Sequence, residues 1–245
     1  MKNRLPDPGA PARERIGWID LLRVIACFLV VFSHCCDPFV AVFDSDRATF
    51  LQGALAGSLV RACVPLFVMM SGVLLLPVRT DAGTFYYVSG FAGYLVLAFY
   101  LVKFPPAWSW CKTLGICIPA FLVGYLVTGA GYVMMQRAFP GNYAYLEIVW
   151  YFAGINVFLM TAPVFILVQK AAARPRAWLS RLAGATFGIY LCHFIFVQAG
   201  YDLVQRIPGL PALVRIPLIA CGAFAASWLT VWLMQRWRVT RRFVE

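Results

Sequence analysis

The chain has 245 residues, of which 62% are hydrophobic and only 13% charged, with a net charge of +11 and a mean hydropathy of +0.78. A soluble domain of this length would carry about twice that charge, so a water-soluble globule is excluded. Nucleic-acid binding is excluded as well, because the basic residues sit at the ends of apolar runs, as topology signals and lipid-headgroup anchors do.

The apolar runs are continuous and about twenty residues long, which fits spanning helices and not the alternating ten-residue strands of a barrel. The fold class is therefore read as all-α, a polytopic transmembrane helix bundle. Residues 1–15 are polar and proline-rich and read as a cytoplasmic N-terminal tail. Lys2, Arg4, Arg13 and Arg15 before an apolar run have the outline of a secretory signal. Asp20 and Arg23 interrupt that run, so a retained first helix is expected. Seven hydrophobic segments follow, at about 17–36, 51–76, 86–102, 113–135, 147–169, 183–205 and 211–234, the third being the shortest. Together they form a domain over 16–236, and 237–245 reads as a basic C-terminal tail. The first loop, 37–46, holds Asp37, Asp44 and Asp46.

Charge distribution sets the seven segments at odds with one another. The basic N-terminus marks a cytoplasmic start. Lys103 with Lys112, then Lys170, Arg174, Arg176 and Arg181, then Arg236, Arg238, Arg241 and Arg242 follow segments three, five and seven. Seven full spans would put all three clusters outside. Either one segment does not span, or an odd number of helices is missing around 78–85.

The first segment carries the residues best suited to chemistry. Arg23 and His34 are eleven residues apart, close to three helical turns, so they share a face about 16 Å apart along the axis. Asp20 lies one turn before Arg23. Ionisable groups inside a span are costly and mark functional sites. A histidine has the pKa range of a general base. A plainer reading is a packed His34 and an Asp20–Arg23 ion pair that offsets the desolvation of both.

Further along, Arg61 precedes Pro65, which is expected to kink its helix. Ser71-Gly72 reads as a site of close helix approach more than as a nucleophile, since no nucleophile elbow surrounds it. His193 reads as a packed or network histidine that would help orient substrate. Glu147 begins the fifth segment in an aromatic cluster and is an alternative partner for His34. The eight cysteines form no CxxC pair and read as small apolar packing residues. Cys35 and Cys36 beside His34 leave a thioester carrier conceivable. No metal site is expected: there is no HExxH, and too few carboxylates flank the two histidines.

Asp20, Arg23 and His34, in the pattern D-x-x-R-x10-H, resemble the opening of the membrane-bound acyltransferase 3 family, bacterial sugar O-acyltransferases. RACVPLFVMMSGVLLLP (61–77) is similar to the family's second helix, SGFAGYLVLAFYL (89–101) to a later one, and FGIYLCHF (187–194) to its late IYL-x-H helix. The resemblance implies catalytic roles for His34 and Arg23, with Asp20, Arg61, Ser71, His193 and Glu147 in support. It implies acyl-CoA, acetyl-CoA above all, as the donor and no metal. It further implies a hydroxyl of a lipid-linked or surface glycan as acceptor, and a multi-pass protein of the inner (cytoplasmic) membrane. Members resemble ten-helix bundles. Here Pro77-Val78-Arg79 runs almost directly into Tyr86-Tyr87, and the family's basic R-x-x-R stretch is absent there, although Arg238 and Arg241 have its spacing. The chain thus resembles an internally shortened member lacking about three helices. An inactive shortened paralogue and a transporter or flippase are the alternatives to an enzyme.

Overall fold

A computed structural model of the chain describes residues 16–75, 91–171, 174–207 and 209–236. The N-terminal tail, the junction at 78–85, Ser89, and the tail carrying Arg238 and Arg241 lie outside the described residues. Among the described residues all regular structure is helical: α1 (Gly17–Val40), α2 (Arg47–Leu59), α3 (Cys63–Leu75), α4 (Ala92–Lys103), α5 (Trp110–Ala138), α6 (Tyr143–Trp150), α7 (Ile155–Ala171), α8 (Ala177–Val204) and α9 (Ala212–Gln235). The fold is the expected all-α polytopic bundle.

Six stretches are long and apolar enough to cross a bilayer: Gly17–Val40, Arg47–Ser71, Trp110–Ala138, Ile148–Ala171, Ala177–Val204 and Ala212–Gln235. The third hydrophobic segment differs. Its described part, α4, has 12 residues, about 18 Å of helix against a hydrocarbon core of about 30 Å. Among the described residues, then, one of the seven segments is not a full span. The six spans counted among the described residues would remove the charge conflict, and the other resolution, helices missing around 78–85, falls outside those residues. Contacts place the basic clusters together. The backbone at Gly17 abuts that of Arg174 and Pro175. Lys170 at the end of α7 donates to the Trp108 carbonyl, and Gln169 donates to the Leu101 carbonyl near the end of α4 (3.2 Å). Arg181 shares a groove with Gln235.

The central helix is α1, packed against α2, α3, α7, α8 and α9. Cys27, Val31 and Cys35 join a core with Ile189 of α8 and Ile216 of α9. Leu22 and Ala26 join a second core with Leu66 and Met69 of α3 and Met160 and Phe165 of α7. The second hydrophobic segment is not one kinked helix. The chain breaks at Val60–Ala62, and Pro65 falls in the first turn of α3, where no N–H bond is forfeited. Helices α5 and α7 approach so closely that a Cβ on Gly124 would lie 2.4 Å from the Asn156 carbonyl. Asn156 spans the contact, donating to Thr128 Oγ1 (2.8 Å) and the Val149 carbonyl (2.7 Å). Leu126, Ile155 and Ile195 point outward, as a lipid-facing surface requires.

Candidate functional site

Asp37 and Pro38 look like the start of a loop, yet α1 continues through them to Val40. Pro38 lies inside the last turn, where it has no N–H to bond the carbonyl of His34 and its ring crowds that carbonyl. The consequence is chemical, because Asp37 now stands one turn beyond His34 on the same helix. His34 Nδ1 lies 3.1 Å from Asp37 Oδ2. A carboxylate only accepts, so Nδ1 carries the proton and Nε2 presents a lone pair. The His34 side chain is 33% exposed and that of Asp37 57% exposed.

The ring of His34 packs against Phe194 (centroids 4.4 Å apart) and His193 (5.4 Å), both on α8. His193 is 1% exposed. Its Nδ1 donates to the Tyr190 carbonyl (2.6 Å), which leaves Nε2 as a buried lone pair with no partner among the described residues. The IYL-x-H helix therefore sets its histidine against the ring of His34 with no hydrogen bond between them.

His34, Arg23 and Ser71 line one cavity of about 770 Å³ that separates α3 from α8, with Phe67, Phe187 and Tyr190 among its walls. The expected alignment of Arg23 and His34 thus opens onto a common space. The Asp20–Arg23 ion pair does not form. Asp20 accepts from Ser180 Oγ (2.5 Å) on α8, and Arg23 has no hydrogen bond or ion pair among the described residues. Spacing alone does not forbid the pair, since His34 and Asp37 meet at the same i,i+3 separation. The Ser180 hydroxyl of α8 engages the Asp20 carboxylate instead, while Arg23 lies only about 20° around α1 from His34 and shares its cavity. Asp20 tethers α1 to α8, and Arg23 faces the cavity as a free cation. Ser71 Oγ donates to the Phe67 carbonyl one turn back (3.1 Å), the ordinary habit of a helical serine. Cys35 and Cys36 are buried in apolar packing.

Arg61 is not in this cavity. Its guanidinium lies 3.6 Å from the Trp150 ring centroid in a separate cavity of about 420 Å³, also lined by Asp37, Leu146 and Tyr151. Asp37 is shared: it bonds His34 on one side and borders the Arg61 cavity on the other. A groove of about 760 Å³ between α8 and α9 contains Arg181 and the rings of Trp178, Trp228 and Trp232, and Gly184 borders both it and the His34 cavity. Glu147 lies in α6, but its side chain is outside the described residues.

Sequence reasoning missed Asp37. The H-x-x-D spacing was there to find, but a segment boundary drawn by hydropathy stops before the first acid. Ser180 and Trp150 carried no signal of their own, because their partners are distant in the chain.

The chain matches the model of the family Acyl_transf_3, described as an acyltransferase domain, over residues 16–111 and 77–232. No curated protein and no solved structure matches it.

Proposed function

The chain belongs to the acyltransferase family that it matches from residue 16 to residue 232, and on that premise we propose that it is a multi-pass membrane enzyme moving an acetyl group from acetyl-CoA to a glycan hydroxyl. The observation that carries this reading is the cavity shared by Arg23 and His34, with His34 Nδ1 held by Asp37. In the proposed reaction His34 Nε2 takes the proton of the acceptor hydroxyl as its oxygen attacks the thioester carbonyl. The C–S bond then breaks, and the thiolate of CoA leaves with the proton from His34. Asp37 holds the imidazole in the required tautomer and steadies its cationic form. Arg23, unpaired in the same cavity, faces the developing negative charge or a donor phosphate.

The direction of access follows from charge. The end bearing Lys112, Lys170, Arg174 and Arg181 is assigned to the cytoplasm of a bacterial inner membrane by the positive-inside rule. Donor phosphates would meet Arg181 in the α8–α9 groove, and the pantetheine arm would pass Gly184 toward Arg23. His34 lies toward the opposite end of α1, where a lipid-linked or surface glycan arrives. His34→Ala is expected to abolish transfer of radiolabelled acetyl from acetyl-CoA in reconstituted protein while the protein remains folded. Near-normal transfer removes the assignment.

A second reading is an inactive shortened paralogue. It is favoured by the two-piece family match, whose parts overlap at 77–111, where the sequence runs from its early to its late family-like blocks. Wild-type protein that binds acetyl-CoA yet neither transfers nor hydrolyses it would support this reading.

A further inference from the structure

Arg61 is the charge that acyl transfer at His34 leaves without a use. It lies inside the Arg47–Ser71 span, where an unpaired guanidinium is costly. No arginine or lysine forms an ion pair among the described residues. Arg61 Nε is buried and has no hydrogen-bond partner among them. The side chain is nevertheless firmly held. Trp150 stacks on Tyr132 with centroids 3.7 Å apart and planes 16° from parallel, and its Nε1 donates to Ser58 Oγ (3.1 Å). The Arg61 guanidinium caps this stack at 3.6 Å, with Phe152 at 5.2 Å. A guanidinium laid flat on an aromatic ring keeps its N–H edge free, and that edge matches the two oxygens of a carboxylate or phosphate.

The surroundings say what kind of molecule carries the anion. The Arg61 cavity, about 420 Å³, lies within the size range of small-ligand sites. Its apolar walls are Leu146, Tyr151 and Phe152, and its exposed rim is formed by Asp37 and Tyr151. The rim lies at the end opposite the basic clusters. Asp37 hydrogen-bonds His34, so a molecule anchored on Arg61 holds its remaining groups beside the His34–Asp37 pair.

We propose that the Arg61 cavity is an acceptor subsite selecting a sugar that bears an anionic group, a carboxylate or a phosphate ester, bound edge-on by the stacked guanidinium. This rests on the reading of His34 as the acyl-transfer base and adds the acceptor's charge to it.

The test uses the full chain in lipid nanodiscs and three probes: methyl glucuronoside, glucose 1-phosphate and methyl glucoside. Equilibrium dialysis is expected to show at least tenfold tighter binding of one anionic probe than of the neutral one. Arg61→Gln should lose that preference, and Arg61→Lys should keep part of it. In transfer assays with that anionic probe, Arg61→Gln should raise the acceptor KM at least tenfold with kcat within twofold. Equal binding of all three probes, or of none, overturns the proposal, as does an Arg61→Gln protein that binds like the wild type. Anion binding that appears only in Glu147→Gln also overturns it, by showing that the chain answers the charge internally. Arg61-dependent binding of the anionic probe in a protein without acetyl transfer supports the subsite and counts against the acyl-transfer reading alone.

Discussion

At His34 one hydrogen bond decides which nitrogen is available. Asp37 accepts from Nδ1 at 3.1 Å, so Nε2 is the nitrogen left open for the proposed role as base. Asp37→Asn keeps the shape but removes the charge that steadies the imidazolium. Its kcat for acetyl transfer is expected to fall about 10²–10⁴-fold, with the donor KM little changed. An unchanged kcat takes Asp37 out of the mechanism. Arg23 and His34 were legible from the sequence because helical periodicity alone sets their common face. The partner of Asp20 was not: Ser180 is 160 residues away, and only the packing of α1 on α8 brings it to 2.5 Å.

Among the elements, α2 shows how local chemistry sets a boundary. Asp46 caps it, accepting from the backbone N–H of Ala48 (3.1 Å) and Thr49 (3.0 Å) and from Thr49 Oγ1 (2.5 Å). These bonds, that from the Thr49 hydroxyl first, hold its carboxyl below the ordinary value of 3.8. A depressed folded-state pKa stabilises above the unfolded value and is lost as pH falls through the folded one. Asp46→Ala should therefore melt below the wild type at neutral pH, and the gap should close as pH falls below 3.8. A gap that persists unchanged in acid contradicts the capping role. The α5–α7 contact depends on the absence of a side chain at Gly124. Gly124→Val overpacks it and is expected to cost about 1–3 kcal/mol, read as a lower melting temperature in detergent. Gly184 is the opposite case, with nothing within 4 Å of a Cβ placed there. Gly184→Phe should leave melting unchanged while raising the acetyl-CoA KM, because the ring would stand between the α8–α9 groove and the His34 cavity. An unaltered donor KM rules out that path.

For the whole molecule, the decisive feature is the parity of the spans. An alternating path through the six candidate spans among the described residues sets every described basic cluster that follows an apolar run at one end, with Asp37, Asp44, Asp46 and Asp202 at the other. Cys111 is exposed in the first turn of α5 at the basic end. A membrane-impermeant maleimide should not reach it in intact cells and should label it after permeabilisation, whereas a cysteine replacing Asn142 should label in both. Labelling of Cys111 from outside reverses the orientation. The sequence by itself determined that this is a helical membrane protein, that its first helix aligns a cation with a histidine, and that seven full spans were inconsistent with its charges. These follow from hydropathy, periodicity and the cost of charge in lipid, all local or summed properties of the chain. Only the tertiary structure decided that Asp20 belongs to Ser180, that Asp37 joins two cavities, and that Arg61 lies stacked on Trp150. Those are contacts between distant segments, chosen by how helices pack, and no spacing along the chain encodes them.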